Sequence, residues 1–214
     1  MNIEKFKKMP ILGILRGIDI DAIEPLVEAT ISAGLKTIEI TMNTRGAATL
    51  ITKAVSCAGK RLTVGAGTVL GVKSLEIAIA AGATFIVTPV LVEDVMKYCV
   101  KNKIPVFPGA LTPSEIYNAW SAGATMVKVF PSRFFGPDYF KEIKGPFNDI
   151  KLLACGGVTP INMKEYISCG ASAVAFGSSV FRKEWLDGKD FASIGAAVKG
   201  YVDAFRNVSL GCSS

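Results

Sequence analysis

Histidine is absent from all 214 residues of the sequence. In other proteins it is the side chain that most often moves protons near neutral pH, and it is the commonest ligand of zinc, copper and non-haem iron. Its absence excludes a Ser-His-Asp triad and leaves proton transfer to carboxylates, lysines, tyrosines, water or the substrate itself. The same absence argues against a catalytic metal site.

Cysteines are few, and long apolar runs are missing. The five cysteines are dispersed without Cys-x-x-Cys spacing, which argues against both a disulfide framework and a zinc site. We expect most of them to be small buried residues, with Cys212 exposed in a terminal tail. No apolar run reaches the roughly 20 residues that cross a bilayer, and the charged N-terminus precedes no signal-peptide apolar region. We therefore expect a cytoplasmic protein that contacts no membrane.

The charge balance is moderately basic. Lysine and arginine number 24 against 18 acidic residues, which gives a formal net charge of +6. The basic residues form no run longer than two, and aromatic residues do not alternate with them, so nucleic acid is not an expected partner. A positive surface would instead attract a small anionic substrate.

Short apolar runs alternate with longer amphipathic stretches along the whole chain. The predicted strands are 11–17, 37–42, 62–69, 85–89, 106–110, 126–131, 151–157 and 173–179. The predicted helices include 20–34, 74–82, 92–102, 112–123, 162–170 and one near 191–206. This alternation indicates an α/β fold with a parallel sheet. We predict one domain over residues 1–214, a (β/α)₈ TIM barrel with a short N-terminal helix; a doubly wound open sheet is the alternative.

A weak repeat supports closure of the barrel. Ala-Gly pairs occur at 33–34, 81–82 and 122–123, and Cys169-Gly170 takes the fourth corresponding place. Each pair precedes an even-numbered predicted strand, where glycine suits the left-handed end of a helix.

Two charged side chains fall on the predicted lumen face of the barrel. Glu39 shares one face of the second strand with two threonines, and Lys128 shares one face of the sixth with Met126 and Phe130. One interpretation is a buried ion pair that only fixes the barrel. The interpretation we favour is catalytic, because a desolvated lysine near other charges becomes a nucleophile. Both residues also lie late in their strands, where barrel enzymes keep their sites.

Further polar groups follow other strands. Arg16 ends the first strand, and its planar guanidinium matches a carboxylate, although an ion pair with Glu39 is the alternative. Gly156-Gly157 and Gly177-Ser178-Ser179 follow the seventh and eighth strands, where barrels commonly bind phosphate through backbone N–H groups. Together with the positive charge, these segments indicate a phosphorylated substrate.

Four segments, taken in order, resemble a known family. They are EITMNT at 39–44, GAGTV at 65–69, KVFP at 128–131 and GGV at 156–158. The chain resembles the class I aldolases that act on 2-keto-3-deoxy-6-phosphogluconate (KDPG) and 4-hydroxy-2-oxoglutarate (KHG), from Pro10 to about Tyr201. The resemblance implies a lyase that needs no metal or cofactor and forms a homotrimer. The implied products are pyruvate and glyceraldehyde 3-phosphate from KDPG, or pyruvate and glyoxylate from KHG.

The resemblance also implies roles for individual residues. Lys128 would form a Schiff base with the 2-oxo carbon, Glu39 would act as the general acid and base, and Phe130 would pack beside the imine. The pyruvate end would be lined by Arg16, Thr68, and Thr88 or Pro89. The distal phosphate would be held by Gly156, Gly157, Gly177, Ser178 and Ser179.

Two positions depart from the phosphogluconate pattern. Asn43 stands where many such members have arginine, so recognition of the carboxylate would shift to Arg16. Asn43 also resembles the branch acting on the galactonate epimer, which makes a 2-dehydro-3-deoxy-6-phosphogalactonate aldolase the alternative. Cys155 stands where the gluconate branch has threonine and the galactonate branch valine, and is predicted to be a specificity position near the C4 hydroxyl.

Two other classes of function stay open at this point. A non-covalent sugar-phosphate isomerase would use Glu39 as a base and Lys128 as an electrostatic group. A binding or structural barrel would simply pair the two charges.

Overall fold

Strands and helices alternate in the computed structural model, which describes residues 1–211 and the side chains of residues 1–208. The strands are β1 (Ile11–Leu15), β2 (Thr37–Thr41), β3 (Thr63–Gly67), β4 (Ile86–Val87), β5 (Val106–Phe107), β6 (Gly109–Ala110), β7 (Val127–Val129), β8 (Leu152–Cys155) and β9 (Ala171–Phe176). The helices are α1 (Ile3–Lys8), α2 (Ile23–Ser32), α3 (Ala47–Ala58), α4 (Val72–Ala80), α5 (Glu93–Lys101), α6 (Pro113–Ser121), α7 (Gly136–Lys144), α8 (Met163–Ser168), α9 (Lys183–Asp187) and α10 (Phe191–Gly211), with a 3₁₀ turn at Ser132–Phe134.

The strands close into a barrel. All neighbouring pairs are parallel, and the order is β5-β4-β3-β2-β1-β9-β8-β7-β6. Segments β5 and β6 are two halves of one barrel strand, separated only by Pro108, which has no N–H to donate. Because β5 pairs with β4 and β6 pairs with β7, this strand joins the two ends of the sheet. The predicted eight-stranded barrel is confirmed, and the open doubly wound sheet is excluded.

Most strands end earlier than the sequence predicts. Strand β1 ends at Leu15 instead of residue 17, and β8 ends at Cys155 instead of residue 157. The next residues are Arg16-Gly17 after β1 and Gly156-Gly157 after β8. Their backbone leaves the hydrogen-bonded sheet and forms loops. The structure also has helices α3, α7 and α9, for which the sequence analysis gives no bounds. Helix α7 begins at Gly136-Pro137, a pair typical of turns, yet proline is tolerated in the first turn of a helix.

The repeated glycines end helices as predicted. Gly34, Gly82, Gly123 and Gly170 all have positive φ, between 91° and 102°, directly before β2, β4, β7 and β9. A side chain on Gly123 would also meet Val100, because an added Cβ would lie 2.8 Å from its Cγ2. The predicted start of α6 is likewise a capping box between Thr112 and Glu115.

Helix α1 closes the N-terminal end of the lumen. Phe6 is 2% exposed, and its ring stacks on Phe107 at a centroid distance of 5.9 Å. Phe107 in turn packs against Phe85 at 5.7 Å, and the Met1 amino group donates a hydrogen bond to the Thr84 carbonyl. This half of the lumen is therefore apolar and closed, which leaves the opposite end for polar side chains.

The structure also tests the expectations about disulfides and membrane-spanning helices. Cys99 and Cys155 are buried free thiols, Cys57 and Cys169 are half-buried free thiols, and Cys212 lies outside the described residues. Within residues 1–211, no helix combines the length and the hydropathy needed to cross a membrane.

Phe6→Ala is expected to lower the free energy of unfolding by about 3–5 kcal/mol, because it removes a buried ring and leaves a cavity in the lumen. Urea denaturation would measure the change. Lys5→Ala, on the exposed side of the same helix, should change the unfolding free energy by less than about 0.5 kcal/mol. Equal effects of the two substitutions would contradict the role of Phe6 as a plug.

Candidate active site

Glu39 and Lys128 lie in the barrel lumen as predicted from strand alternation. Glu39 is 1% exposed on β2, and Lys128 is 7% exposed on β7. Lys128 pairs in register with Gly109 of β6, and Glu39 pairs with Gly65 of β3. The space beside these two glycines is filled by the Phe85 ring at Gly65 and by the Pro89 carbonyl at Gly109.

The Glu39 carboxyl is buried without a direct partner. Its Oε2 atom is fully buried and makes no hydrogen bond to the described residues. Every ion pair found in the described part of the chain lies on the surface, so Glu39 is paired with neither Lys128 nor Arg16. Burial raises the pKa of the carboxyl, and the positive charges of Lys128 and Arg16 oppose that rise. Both ion pairs considered as structural alternatives are therefore not formed.

Gly67 makes the position of Glu39 possible. A Cβ at residue 67 would lie 2.3 Å from Glu39 Oε1, closer than any non-bonded contact allows. The GAGTV segment draws attention to this glycine in the sequence, but nothing there shows that its function is to make room for a carboxyl on the adjacent strand.

The amine of Lys128 lies between an aromatic ring and a thiol. Its Nζ atom is 5.2 Å from the ring centroid of Phe130, which is 42% exposed. Cys155 is 3% exposed, and burial raises the pKa of its thiol. The positive charge of the neighbouring Lys128 acts in the opposite direction. Since the net shift is upward, Cys155 is a neutral thiol beside the amine at neutral pH.

Hydroxyl groups connect the loops at the C-terminal rim. Arg16 Nη2 donates a hydrogen bond of 3.3 Å to Thr68 Oγ1, and Thr68 has a left-handed φ of 54°. The backbone N–H of Gly17 donates to Thr44 Oγ1 at 3.0 Å, and Thr44 Oγ1 is also 3.0 Å from Thr41 Oγ1. The loop that carries Arg16 is therefore attached to the loop that follows Glu39.

A cavity of about 820 Å³ opens above Lys128. Eight of the predicted site residues line it: Arg16, Phe130, Cys155, Gly156, Gly157, Gly177, Ser178 and Ser179. Glu39, Thr68 and Lys128 do not themselves line the cavity. Thr68 is hydrogen-bonded to Arg16, and Lys128 contacts Phe130 and Cys155, so two of these three residues lie next to lining residues.

Three predicted site residues are not brought to the cavity. The Thr88 hydroxyl is 1% exposed and donates to the Val90 carbonyl at 2.6 Å. The Pro89 carbonyl packs against Gly109, where an added Cβ would lie 2.0 Å from its oxygen. Asn43 is exposed beyond the end of β2.

Two cationic residues that the sequence does not single out line the cavity beside the loops that follow β8 and β9. Arg133 lies in the turn after β7, and Lys183 begins α9, where it forms an ion pair of 2.6 Å with Asp187. An added Cβ on Gly157 would lie 2.5 Å from Arg133 Cβ, so glycine permits this approach. The only signal for either residue is its place shortly after a strand, which is weak in a chain with 24 basic residues.

The same end of the cavity is rich in backbone donors. Gly156 and Gly157 have positive φ values of 88° and 98°. Among the hydrogen bonds found outside helices and strands in residues 1–211, none uses the N–H of Gly157, Val158, Ser178 or Ser179 as a donor. Ser132, in the 3₁₀ turn after β7, is buried, and its Oγ lies 3.0 Å from the Cys155 carbonyl oxygen and 2.9 Å from the Gly156 carbonyl oxygen. This hydroxyl therefore attaches the turn after β7 to the end of β8.

The described side chains offer organic catalytic groups. One part of the site holds an amine, a carboxyl with a raised pKa and a guanidinium. Another part holds the side chains of Arg133 and Lys183 and backbone N–H groups that donate no hydrogen bond. In residues 1–208, no group of three or more Cys, Asp or Glu side chains is arranged to hold a metal ion.

Residues 3–197 match the model of one protein family, described as KDPG and KHG aldolase. The chain belongs to this family. A 2-dehydro-3-deoxy-6-phosphogalactonate aldolase from Escherichia coli (strain K12) is 35% identical over 200 residues, which cover 93% of this chain and 98% of that protein. A 2-dehydro-3-deoxy-phosphogluconate aldolase from Pseudomonas aeruginosa is 32% identical over 187 residues, covering 87% and 83%.

Solved structures agree with the family and the barrel. A native KDPGal structure superposes with a TM-score of 0.88 at 34% identity, covering 95% of this chain and 97% of the other. A KDPG aldolase from Legionella pneumophila has a TM-score of 0.84 at 25% identity, covering 92% and 95%. That structure holds pyruvate captured at low pH as a covalent carbinolamine intermediate. The predicted family is confirmed.

Glu39→Gln is expected to stabilise the protein at neutral pH. Because burial raises the pKa of Glu39 above 4.5, the folded protein binds this proton more tightly than the unfolded chain. The unfolding free energy of the wild type therefore falls as the pH rises from about 4.5 through the folded-state pKa, and glutamine removes that loss.

Urea denaturation from about pH 4 to pH 8 measures this effect. The two proteins should be nearly equal at the acid end, and the variant should be the more stable at the neutral end. Glu76→Gln, at an exposed position of α4, is the control and should track the wild type. A wild type that gains stability relative to Glu39→Gln on going to neutral pH would contradict the raised pKa.

Proposed function

We propose that this protein is a class I aldolase that cleaves KDPG to pyruvate and glyceraldehyde 3-phosphate through a Schiff base on Lys128. One observation carries the proposal: a buried amine, next to Phe130 and Cys155 of the cavity wall, lies in the same lumen as an unpaired buried carboxyl on which its charge acts. The same cavity is lined by Arg133 and by the Lys183–Asp187 ion pair. The covalent carbinolamine of the Legionella pneumophila relative supports this chemistry for the family.

Formation of the imine requires one nucleophile and one acid. The neutral Lys128 amine attacks the C2 carbonyl carbon and forms a carbinolamine. The protonated Glu39 carboxyl then gives its proton to the C2 hydroxyl, directly or through water. The hydroxyl departs as water, and the nitrogen lone pair forms the iminium. The raised pKa of Glu39 suits this step, because a buried carboxyl keeps its proton at a higher pH than an exposed one.

Cleavage uses the carboxylate that remains. Glu39 accepts the proton of the C4 hydroxyl, the C3–C4 bond breaks, and its electron pair moves into the iminium to give an enamine. The aldehyde leaves first. Protonation of the enamine at C3 and hydrolysis of the imine then release pyruvate and restore the Lys128 amine.

The remaining site residues would bind the two ends of the substrate. Arg16, held by Thr68, would pair with the C1 carboxylate, and Phe130 would cover the imine. At the other end, the free N–H groups of the loops after β8 and β9 would hold the phosphate, together with Arg133 and Lys183. Asn43, Thr88 and Pro89 would have no direct part, because Asn43 is exposed beyond β2, the Thr88 hydroxyl is bonded to the Val90 carbonyl and Pro89 packs on Gly109.

The same site supports two further substrates. KHG shares the pyruvate half of KDPG and would yield glyoxylate, but its shorter chain would leave the cationic end unused. The galactonate epimer differs from KDPG in configuration at C4, and the Escherichia coli relative carries the galactonate name. We propose Cys155 as the residue that meets C4, because its thiol lies beside the Lys128 amine.

A non-covalent isomerase would keep Glu39 as a base and use Lys128 only as a charge. The carbinolamine in a relative argues for the covalent route instead. A homotrimer that acts in the cytoplasm stays a prediction from the family resemblance.

Treatment with pyruvate and borohydride is expected to add a reduced pyruvate adduct to Lys128, which peptide mass spectrometry would locate. Lys128→Ala should lose both the adduct and nearly all cleavage activity while it stays folded, because no other amine can replace the one in the lumen. Lys36→Ala, at the opposite end of the barrel, should keep both. Activity of Lys128→Ala above a few per cent would refute the assignment, and folded wild type without an adduct would favour the isomerase.

Arg133→Ala is expected to raise the KM for KDPG about tenfold or more, because one charge-assisted contact to the phosphate is lost. The kcat/KM for KHG should change little, since KHG has no phosphate. Lys164→Ala, which removes an exposed positive charge that does not line the cavity, controls for long-range attraction. Steady-state kinetics with both substrates would test this, and equal losses for KDPG and KHG would contradict a phosphate contact.

A further inference from the structure

The loops that follow β8 and β9 are each anchored to the barrel by a buried valine, Val158 in the first and Val180 in the second. We call them the β8 loop (residues 156–159) and the β9 loop (residues 177–180). The β8 loop begins with two glycines in the left-handed region, and the β9 loop begins with Gly177 and two exposed serines. Ser132 and Asn162 hold the β8 loop, but no hydrogen bond between the two loops is found in the described residues. Their position relative to each other therefore depends on a residue that contacts both.

Tyr201 of α10 contacts both loops through one oxygen atom. Its Oη donates a hydrogen bond of 2.8 Å to the Val158 carbonyl of the β8 loop. The same Oη lies 3.3 Å from Ser179 Oγ of the β9 loop. A phenol has one proton, and the carbonyl can only accept, so the Ser179 hydroxyl is the donor in the second bond. The phenol oxygen therefore bridges the two loops.

Packing of the Tyr201 ring fixes the position of this oxygen. Tyr201 is 4% exposed, and its ring centroid is 4.3 Å from that of Phe176. Phe176 is the last residue of β9, directly before the β9 loop. Tyr201 does not line the cavity, so it supports the loops from behind and does not touch a bound substrate.

We propose that Tyr201 is a positioning residue that couples the β8 and β9 loops and so determines the affinity for the substrate phosphate. This inference rests on the proposed function of the two loops as the phosphate-binding end. With the phenol in place, the free N–H groups of both loops face the cavity in one arrangement before the phosphate arrives. Without it, phosphate binding must also fix the two loops relative to each other, which weakens the binding.

The test is Tyr201→Phe, which keeps the ring on Phe176 and removes only the oxygen. The KM for KDPG and the inhibition constant of inorganic phosphate should each rise about fivefold, the effect of one lost hydrogen bond. The kcat for KDPG, the kcat/KM for KHG and the pyruvate adduct on Lys128 should stay within about twofold of wild type. A merely structural role would not separate phosphorylated from unphosphorylated substrates.

Tyr139→Phe is the matched control. Its phenol also donates to a main-chain carbonyl, that of Leu111, but it forms no hydrogen bond to the β8 or the β9 loop. It should lose a comparable amount of stability and show no phosphate-specific effect. The same selective loss in Tyr139→Phe would overturn the proposal.

A second variant tests the bridge itself. Ser179→Ala removes one of the two bonds to the phenol together with a hydroxyl that lines the cavity, so it should raise the inhibition constant of phosphate, and the bridge is tested by combining it with Tyr201→Phe. If the two residues act together, the double variant should lose less affinity than the sum of the single losses. Strict additivity would contradict the coupling. If Tyr201→Phe does not fold, an unchanged inhibition constant of phosphate in Ser179→Ala alone would overturn the proposal.

The wild type separates failure of this inference from failure of the proposed function. A wild type that is inhibited by phosphate and prefers KDPG to KHG, combined with a Tyr201→Phe variant that behaves identically, would overturn the inference alone. A wild type with neither property would overturn the phosphate end, and with it both proposals.

Discussion

The burial of Glu39 and Lys128 in one lumen, without a direct ion pair, is the constraint on which the rest of the site depends. A paired carboxylate and ammonium would each be held by the other, and neither would be available to a substrate. Kept apart, the carboxyl has a pKa raised by burial and moderated by two positive charges, which suits a group that both gives and takes a proton. Burying the two groups costs desolvation free energy, and the apolar packing in the other half of the barrel offsets it.

The lumen accommodates these groups because its contents change along the barrel axis. At the N-terminal end, the rings of Phe6, Phe85 and Phe107 fill the space. Toward the C-terminal end, Gly67 gives its space to the Glu39 carboxyl, and the strands run out into loops. Side chains of β-strands stand on a rigid frame, whereas the loops supply most of the cavity lining. The reactive groups are therefore fixed, and recognition of the distal end of the substrate depends on how the loops are held.

Part of this arrangement could be predicted, since strand alternation places Glu39 and Lys128 inside as soon as the strands are recognised. Eight predicted site residues line one cavity. Thr88 and Pro89 do not join them, because the Thr88 hydroxyl is bonded to the Val90 carbonyl and Pro89 packs on Gly109. Arg133 and Lys183 were not predicted, because a basic residue in a loop has no periodicity that shows where its side chain goes. The interruption of the fifth strand at Pro108 follows from chemistry visible in the sequence, although its register does not.

The sequence by itself determined the fold class, the lumen faces of the strands, the exclusion of histidine chemistry and the family, because periodicity and motif order are local properties of the chain. Only the tertiary structure decided whether the two buried charges are paired, which glycine makes room for the carboxyl, and which hydroxyl bridges the two loops. Each of these facts is a distance between residues far apart in sequence. For Tyr201 and Val158 the separation is 43 positions, and no local pattern encodes the 2.8 Å between their oxygen atoms. The physical reason is that hydrogen bonds and desolvation depend on positions in space, which the closure of the barrel sets.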